Sequence, residues 1–281
     1  MSTTDRLHIN HWDTFFDDEL HARLYPTWWD DKTANHWRHE RFMEPVIDVL
    51  QTHDDRWLTI GDGSGHDSWI MLNKGFKNVL STDIGDGTLK RSLSEGHIQK
   101  FDQANAENLQ YTDGQFDYVL CKEAFHHMGR PYLGLYEMLR VATKAVVLIE
   151  PQDQWIDFPT RAGNPSPFYE RVGNYVYALS IREIQKVCFG MNLPGYASKN
   201  MHDVYIQGCE FAKAEAGDPI FKAMTEALAD FEKKCQQRVE KWNYVVTILF
   251  KDEAVFSDPA IVERLKAFNW SQERTNLNPH V

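Results

Sequence analysis

Through the middle of this chain, short apolar runs alternate with stretches whose apolar residues recur at helical spacing. Trp57–Ile60, Val79–Thr82, Phe116–Leu120 and Ala145–Ile149 are such runs. A strand covered on both faces reads as continuous hydrophobicity rather than alternation, as in a parallel sheet between two helical layers. Between the third and fourth runs, Tyr132, Leu135, Tyr136 and Leu139 share one helical stripe behind Pro131, a residue suited to a first helical position. This alternation predicts an α/β fold built on a doubly wound, Rossmann-like sheet with right-handed crossovers.

The flanks are less regular. Residues 1–55 read as an N-terminal helical cap, because Phe42, Val46, Val49 and Leu50 recur at helical spacing. Trp28, Trp29 and Trp37 in that segment are expected to pack rather than to bind. Residues 56–150 form the core. Residues 151–179 hold four prolines with Trp155, Phe158, Phe168, Tyr169, Tyr175 and Tyr177, and no clear period. A connection this long inside a domain is usually functional, so it is expected to be an aromatic lid. Order returns in residues 180–270. Ser180 and Glu183 form a capping box ahead of Ile181, Ile184 and Val187, and Gly190 ends that helix. Residues 203–211 and 242–250 read as strands, with a helical insertion near 218–241. Residues 271–281 read as a frayed polar tail.

Composition narrows the class. The 281 residues carry a formal net charge of −11, which weighs against a general nucleic-acid partner and against anionic membranes. No run approaches the length of a spanning helix, and the first residues lack an apolar leader core. Cys121, Cys188, Cys209 and Cys235 are scattered without a Cys-x-x-Cys pair, as expected of small apolar groups in a reducing cytoplasm. No metal centre is expected. His53, Asp54 and Asp55 have suitable side chains but sit in a solvated turn.

The chemistry concentrates where the first run ends. Gly61, Gly63 and Gly65 alternate with Asp62 and Ser64 in a Gly-x-Gly-x-Gly turn. Such a turn lets the backbone approach a ligand closely, and at the end of a strand that opens a helix it offers N–H groups to a nucleotide. The second run ends at Asp83, placed to accept hydrogen bonds from both hydroxyls of a ribose. His66 stands where a dinucleotide fingerprint needs its third glycine, so a ligand without a pyrophosphate fits better.

With this turn, the segment Gln103–His127, the Leu135–Ala142 stretch and the run Val146–Pro151 follow in order. The sequence from about Trp57 to Pro151 therefore resembles a class I S-adenosylmethionine-dependent methyltransferase of the type 11 group. That resemblance implies a seven-stranded sheet, mostly parallel, with an antiparallel edge pair and cap insertions. It implies that Gly61–Gly65 hold the methionine and ribose part of the cofactor and that Asp83, with Ile84 beside it, takes the ribose hydroxyls. Asn105, Ala106 and Glu107 match the adenine-recognising segment, and Cys121 and Lys122 end the strand that faces the cofactor. The sequence departs from the family pattern at Thr59, where an acid is usual; Asp62 inside the turn is expected to replace its charge in part.

Methyl transfer prescribes no residue type, because the sulfonium is already activated. His126 and His127 are the candidate bases, since imidazole titrates near neutrality; the alternative is that they pack and cap. Glu150 and Asp153 lie where an α/β sheet opens to its crevice, and with Trp155, Tyr169 and Tyr175 they are the candidate substrate contacts. The expected activity is methylation of a small or medium-sized acceptor, sugar-like or ring-bearing, with O-methylation favoured over N-methylation. A non-catalytic cofactor binder and a nicotinamide-dependent oxidoreductase are the rivals. The oligomeric state is open, a homodimer being allowed.

Overall fold

The computed structural model describes residues 3–14, 19–154, 169 and 174–275. Trp155 and most of the expected aromatic lid lie outside them. One sheet organises the chain, with the order β3-β2-β1-β4-β5-β7-β6-β8. Its strands are β1 (Arg56–Ile60), β2 (Asn78–Asp83), β3 (Phe101–Gln103), β4 (Phe116–Lys122), β5 (Ala142–Pro151), β6 (Gly195–Met201), β7 (Tyr244–Phe250) and β8 (Ser271–Arg274). The first five pair in parallel. The strand β7 runs antiparallel to both β5 and β6, and β8 antiparallel to β6.

Alternate residues of each central strand feed two cores. Leu58, Ile60, Val119, Cys121, Val146 and Leu148 face α6 (Pro131–Val141) and α7 (Ile181–Gly190). Trp57, Tyr118, Leu120, Val147 and Ile149 face α3 (Ala34–Leu50) and α4 (His66–Asn73). With both faces apolar, these strands are continuous in hydrophobicity, and their sheet is stable only between helices. Phe42, Val46, Val49 and Leu50 of α3 are all buried. The Ser180–Glu183 capping box is present, each side chain accepting from the other's backbone N–H.

Three differences from the sequence reading have physical causes. The sheet has eight strands, not seven, because Ser271–Arg274 pairs along β6 instead of fraying. The strand between β7 and β8, β6, is Gly195–Met201, not residues 203–211. It carries Lys199 and Asn200, so its apolar pattern is weak. The apolar residues Val204, Ile206 and Cys209 serve a third, small core instead, packed with Ala34, Met224 and Leu228. In α6, Tyr136 turns outward and the buried stripe is Leu135, Met138 and Leu139.

The remaining helices cap this frame. They are α1 (Thr3–Thr14), α2 (Glu19–Leu24), α5 (Gly87–Ser94), α8 (Pro219–Gln236), α9 (Glu253–Phe256) and α10 (Pro259–Ala267). All four cysteines are free and buried. Among the described residues no helix is long and apolar enough to cross a membrane.

Candidate active site

The chain leaves β1 toward β2 and β3 on one side and later builds β4 and β5 on the other, so the crevice opens at the reversal between β1 and β4. The glycine turn occupies that point. Gly61, Gly63 and Gly65 all have positive φ, at 67°, 58° and 89°. At Gly61 a side chain has no room, since a Cβ would lie 2.2 Å from the Cβ of Ala124.

Two carboxylates fix this turn from beneath. Asp62 is buried, and its Oδ2 accepts from the hydroxyls of Thr59 (2.7 Å), Ser81 (2.7 Å) and Ser68. Its Oδ1 accepts from the Asp67 N–H at 2.9 Å, at the start of α4. Thr59, the departure from the family pattern, is thus hydrogen-bonded to the acid expected to replace its charge. Asp83 accepts from Gly63 N–H (2.9 Å) and Gly85 N–H (3.0 Å). Burial pushes its pKa up to about 6 against these two hydrogen bonds. The hydroxyl of Thr88 donates to the Gly63 carbonyl at 2.7 Å.

A cavity with about 650 Å³ of open space lies over the turn. Ile60, Ile84, Ala104, Ala106 and Met128 give it apolar walls, and Gly61, Asp83, Asn105, Glu107 and His127 give it polar ones. This brings together Gly61, Asp83, Ile84, Asn105, Ala106 and Glu107 from the sequence list. Asn105 and Glu107 also have structural partners. Asn105 Oδ1 accepts from Glu107 N–H at 2.9 Å, and Glu107 accepts from both the backbone N–H and Nε of Arg130, each at 2.7 Å.

A second space continues from the first across Gly61, Glu123 and His127, and adds Asp62, Gly63, Ser64, Lys122 and His126. Trp28, His39, His66 and Asp67 complete it, and the sequence reading named none of them as site residues. Asp67 stands two residues after the glycine turn, so its place beside the motif was a usable signal. Trp28 and His39 reach the crevice through the packing of the N-terminal segment on the sheet, which leaves no local trace. Trp28 lies 5.4 Å from His39 and 5.1 Å from His66, ring to ring. Trp29 and Trp37 pack, on His97 and Phe221 respectively.

The electrostatics here are those of a buried network. Lys122 Nζ lies 3.0 Å from Asp67, 3.3 Å from Glu123 and 3.2 Å from His39 Nδ1. Its two carboxylate partners raise its pKa against burial, and in turn Lys122 holds Glu123 well below the usual carboxylate range. Burial pushes Asp67 up to about 7 and pushes His39 and His66 well down, so both imidazoles are neutral at pH 7. Cys121 is fully buried beneath this floor, its thiol 3.8 Å from Glu150.

Glu150 lines neither space. It is fully buried and accepts from Ala124 N–H and Phe125 N–H, both at 3.0 Å, and faces His126 Nδ1 at 2.6 Å. Asp153 is tied back by its N–H to the Leu179 carbonyl at 2.9 Å and lines neither space. Tyr169 and Tyr175 are exposed, with their rings 5.6 Å apart, and also line neither. Tyr177 donates its N–H to the His126 carbonyl.

Residues 58–149 match the family model described as a methyltransferase domain. About a third of the chain is thus similar to a methyltransferase domain. The match spans the strands β1 to β5 and the connections that form the crevice of this methyltransferase domain. No curated protein matches the sequence. Among solved structures, a putative methyltransferase from Bacillus halodurans is 18% identical, with a TM-score of 0.51 over 74% of this chain and 96% of its own. The YcgJ protein from Bacillus subtilis is 16% identical, with a TM-score of 0.51 over 76% and 100%. A SAM-dependent methyltransferase from Archaeoglobus fulgidus is 13% identical, with a TM-score of 0.51 over 78% and 95%. At these identities the likeness is one of fold.

Proposed function

We propose that the crevice binds S-adenosylmethionine and that the protein moves its methyl group to a hydroxyl of a small or medium-sized acceptor. The observation that carries this reading is convergence: Gly61 of the glycine turn, Asp83 and the Ala104–Glu107 segment line one cavity at the sheet's switch point. The residues present fit the group. The apolar walls at Ile84, Ala104, Ala106 and Met128 suit a purine face, and Asp83 supplies acceptors for ribose hydroxyls. Gly61–Gly65 would hold the methionine end.

The bound sulfonium supplies an activated methyl group, so the chain's own work is to position the acceptor, exclude water and take up a proton. His126 is the base in this reading. A carboxylate only accepts hydrogen bonds, so Glu150 fixes the proton of His126 on Nδ1 and makes Nε2 the basic nitrogen. An acceptor hydroxyl beside His126 would lose its proton to Nε2 as its oxygen takes the methyl group. His127, which lines both spaces with its ring 4.0 Å from that of His126, would sit between cofactor and acceptor. Trp28 offers a face for a sugar-like or aromatic ring, and neutral His39 and His66 offer uncharged hydrogen-bond partners. A cytoplasmic, small-molecule enzyme is the setting this implies.

Incubation with methyl-labelled S-adenosylmethionine and a panel of hydroxylated and amine acceptors tests the activity. Label in a hydroxyl-bearing acceptor, lost in His126→Ala, supports the reading. Label confined to amines, or turnover unchanged in that variant, overturns O-methylation with His126 as base.

A further inference from the structure

The first helix lies over one end of the cofactor cavity. Asp5 and His8 of α1 line the same cavity as Asp83, Ile84 and Ala106. His8 is the only buried side chain among those described in α1, its ring 5.9 Å from that of His127. Leu7 is about half exposed. A helix of this length depends on its tertiary contacts, polar ones included, to stay docked.

One pair of such contacts sits at its other end. Asp13 Oδ1 accepts from the N–H groups of Asp86 (3.1 Å) and Gly87 (2.9 Å), where α5 begins. A carboxylate there satisfies N-terminal amides and meets the positive end of the helix dipole. The approach is close, since a Cβ at Gly87 would lie 3.2 Å from the Cα of Asp13. Asp86 and Gly87 belong to the same short connection as Asp83 and Gly85, so the helix is fastened to the loop that carries the ribose acid.

We propose that α1 is a clasp over the adenosyl end of the cofactor. Asp5 and His8 are its ligand-facing residues, and the Asp13 bonds to Asp86 and Gly87 are its latch. The proposal rests on the crevice being an S-adenosylmethionine site. Closing the clasp shields the ligand from water and slows its departure, and undocking it opens the cavity for exchange.

Hydrogen exchange on the intact protein, with and without saturating S-adenosylhomocysteine, tests this directly. Ligand is expected to slow exchange of the amides in residues 3–14 by about tenfold or more, an opening free-energy change that one closed lid supplies. Asp13→Ala should lose most of that protection and release the ligand about tenfold faster, since such changes act mainly on dissociation. Asp13→Asn keeps an acceptor oxygen and should recover part of both. Equal exchange in α1 with and without bound ligand overturns the clasp, and the wild-type measurement alone decides this if the variant does not fold. Failure of wild-type protein to bind S-adenosylhomocysteine would remove the cofactor reading, and the clasp with it.

Discussion

Glu150 Oε2 lies 2.6 Å from Nδ1 of His126, on a carboxylate with no solvent exposure that also receives two backbone N–H groups. The acid at the end of β5 thus touches the histidine and lines neither space, and under the proposed mechanism it acts through that histidine. Glu150→Gln is expected to lower kcat by roughly 10- to 100-fold. Its affinity for S-adenosylhomocysteine should stay within about twofold, because Glu150 does not line the cofactor cavity. Without the carboxylate the imidazolium is less stabilised, so the acid limb of the kcat pH profile should shift to lower pH. Lost activity with an unmoved profile would mean that Glu150 serves only the loop.

Gly61→Ala meets two obstacles, a φ of 67° and a neighbour 2.2 Å from the new methyl group. Left-handed backbone and overpacking together are expected to cost roughly 2–5 kcal/mol and to abolish cofactor binding. Chemical denaturation and calorimetry check both. Adding Ala124→Gly relieves the overlap but not the backbone strain, so only part of the stability should return.

Asp62 gathers hydroxyls from Thr59, Ser68 and Ser81 and the amide of Asp67. Asp62→Ala leaves these buried donors without their acceptor and is expected to destabilise by about 3–5 kcal/mol. Thr59→Val removes one donor along with the need for it and should cost only about 1 kcal/mol. Denaturation midpoints of the two variants give the comparison. Similar losses would contradict the view that Asp62 is the hub.

Asp83 is raised to about 6 by burial, above the ordinary carboxylate value. Ribose hydroxyls need an acceptor, so affinity for S-adenosylhomocysteine should fall as pH drops through 6 and be about tenfold weaker at pH 5 than at neutrality. In Asp83→Asn the affinity should be low and flat across this range. The folded state holds this proton where the unfolded chain has lost it. The carboxyl's contribution to stability without ligand therefore declines as pH rises from about 4 to 6, the opposite slope.

The sequence was most legible where one physical constraint acts at a time. The parallel core strands are covered on both faces, so their hydrophobicity is continuous, and the glycine turn stands out because its backbone angles exclude side chains. The polar strand at β6 was missed because Lys199 and Asn200 lie past its pairing with β8, which covers only Gly195–Ser198, while Val204 and Ile206 mimicked a strand in serving a separate small core. Asp5, Trp28 and His39 enter the crevice from the N-terminal segment through tertiary packing alone. Glu150 was legible as important but not in its direction, because strand alternation does not reveal that loop amides would enclose its carboxylate.

Calorimetric titration of the wild-type protein and Asp83→Ala with S-adenosylhomocysteine, and separately with NAD, tests the central claim. The account predicts one site per chain for S-adenosylhomocysteine, more than about tenfold weaker in Asp83→Ala through loss of charge-assisted bonds to the ribose, and no site for NAD. Binding of NAD in its place, or an affinity for S-adenosylhomocysteine indifferent to Asp83, would contradict it.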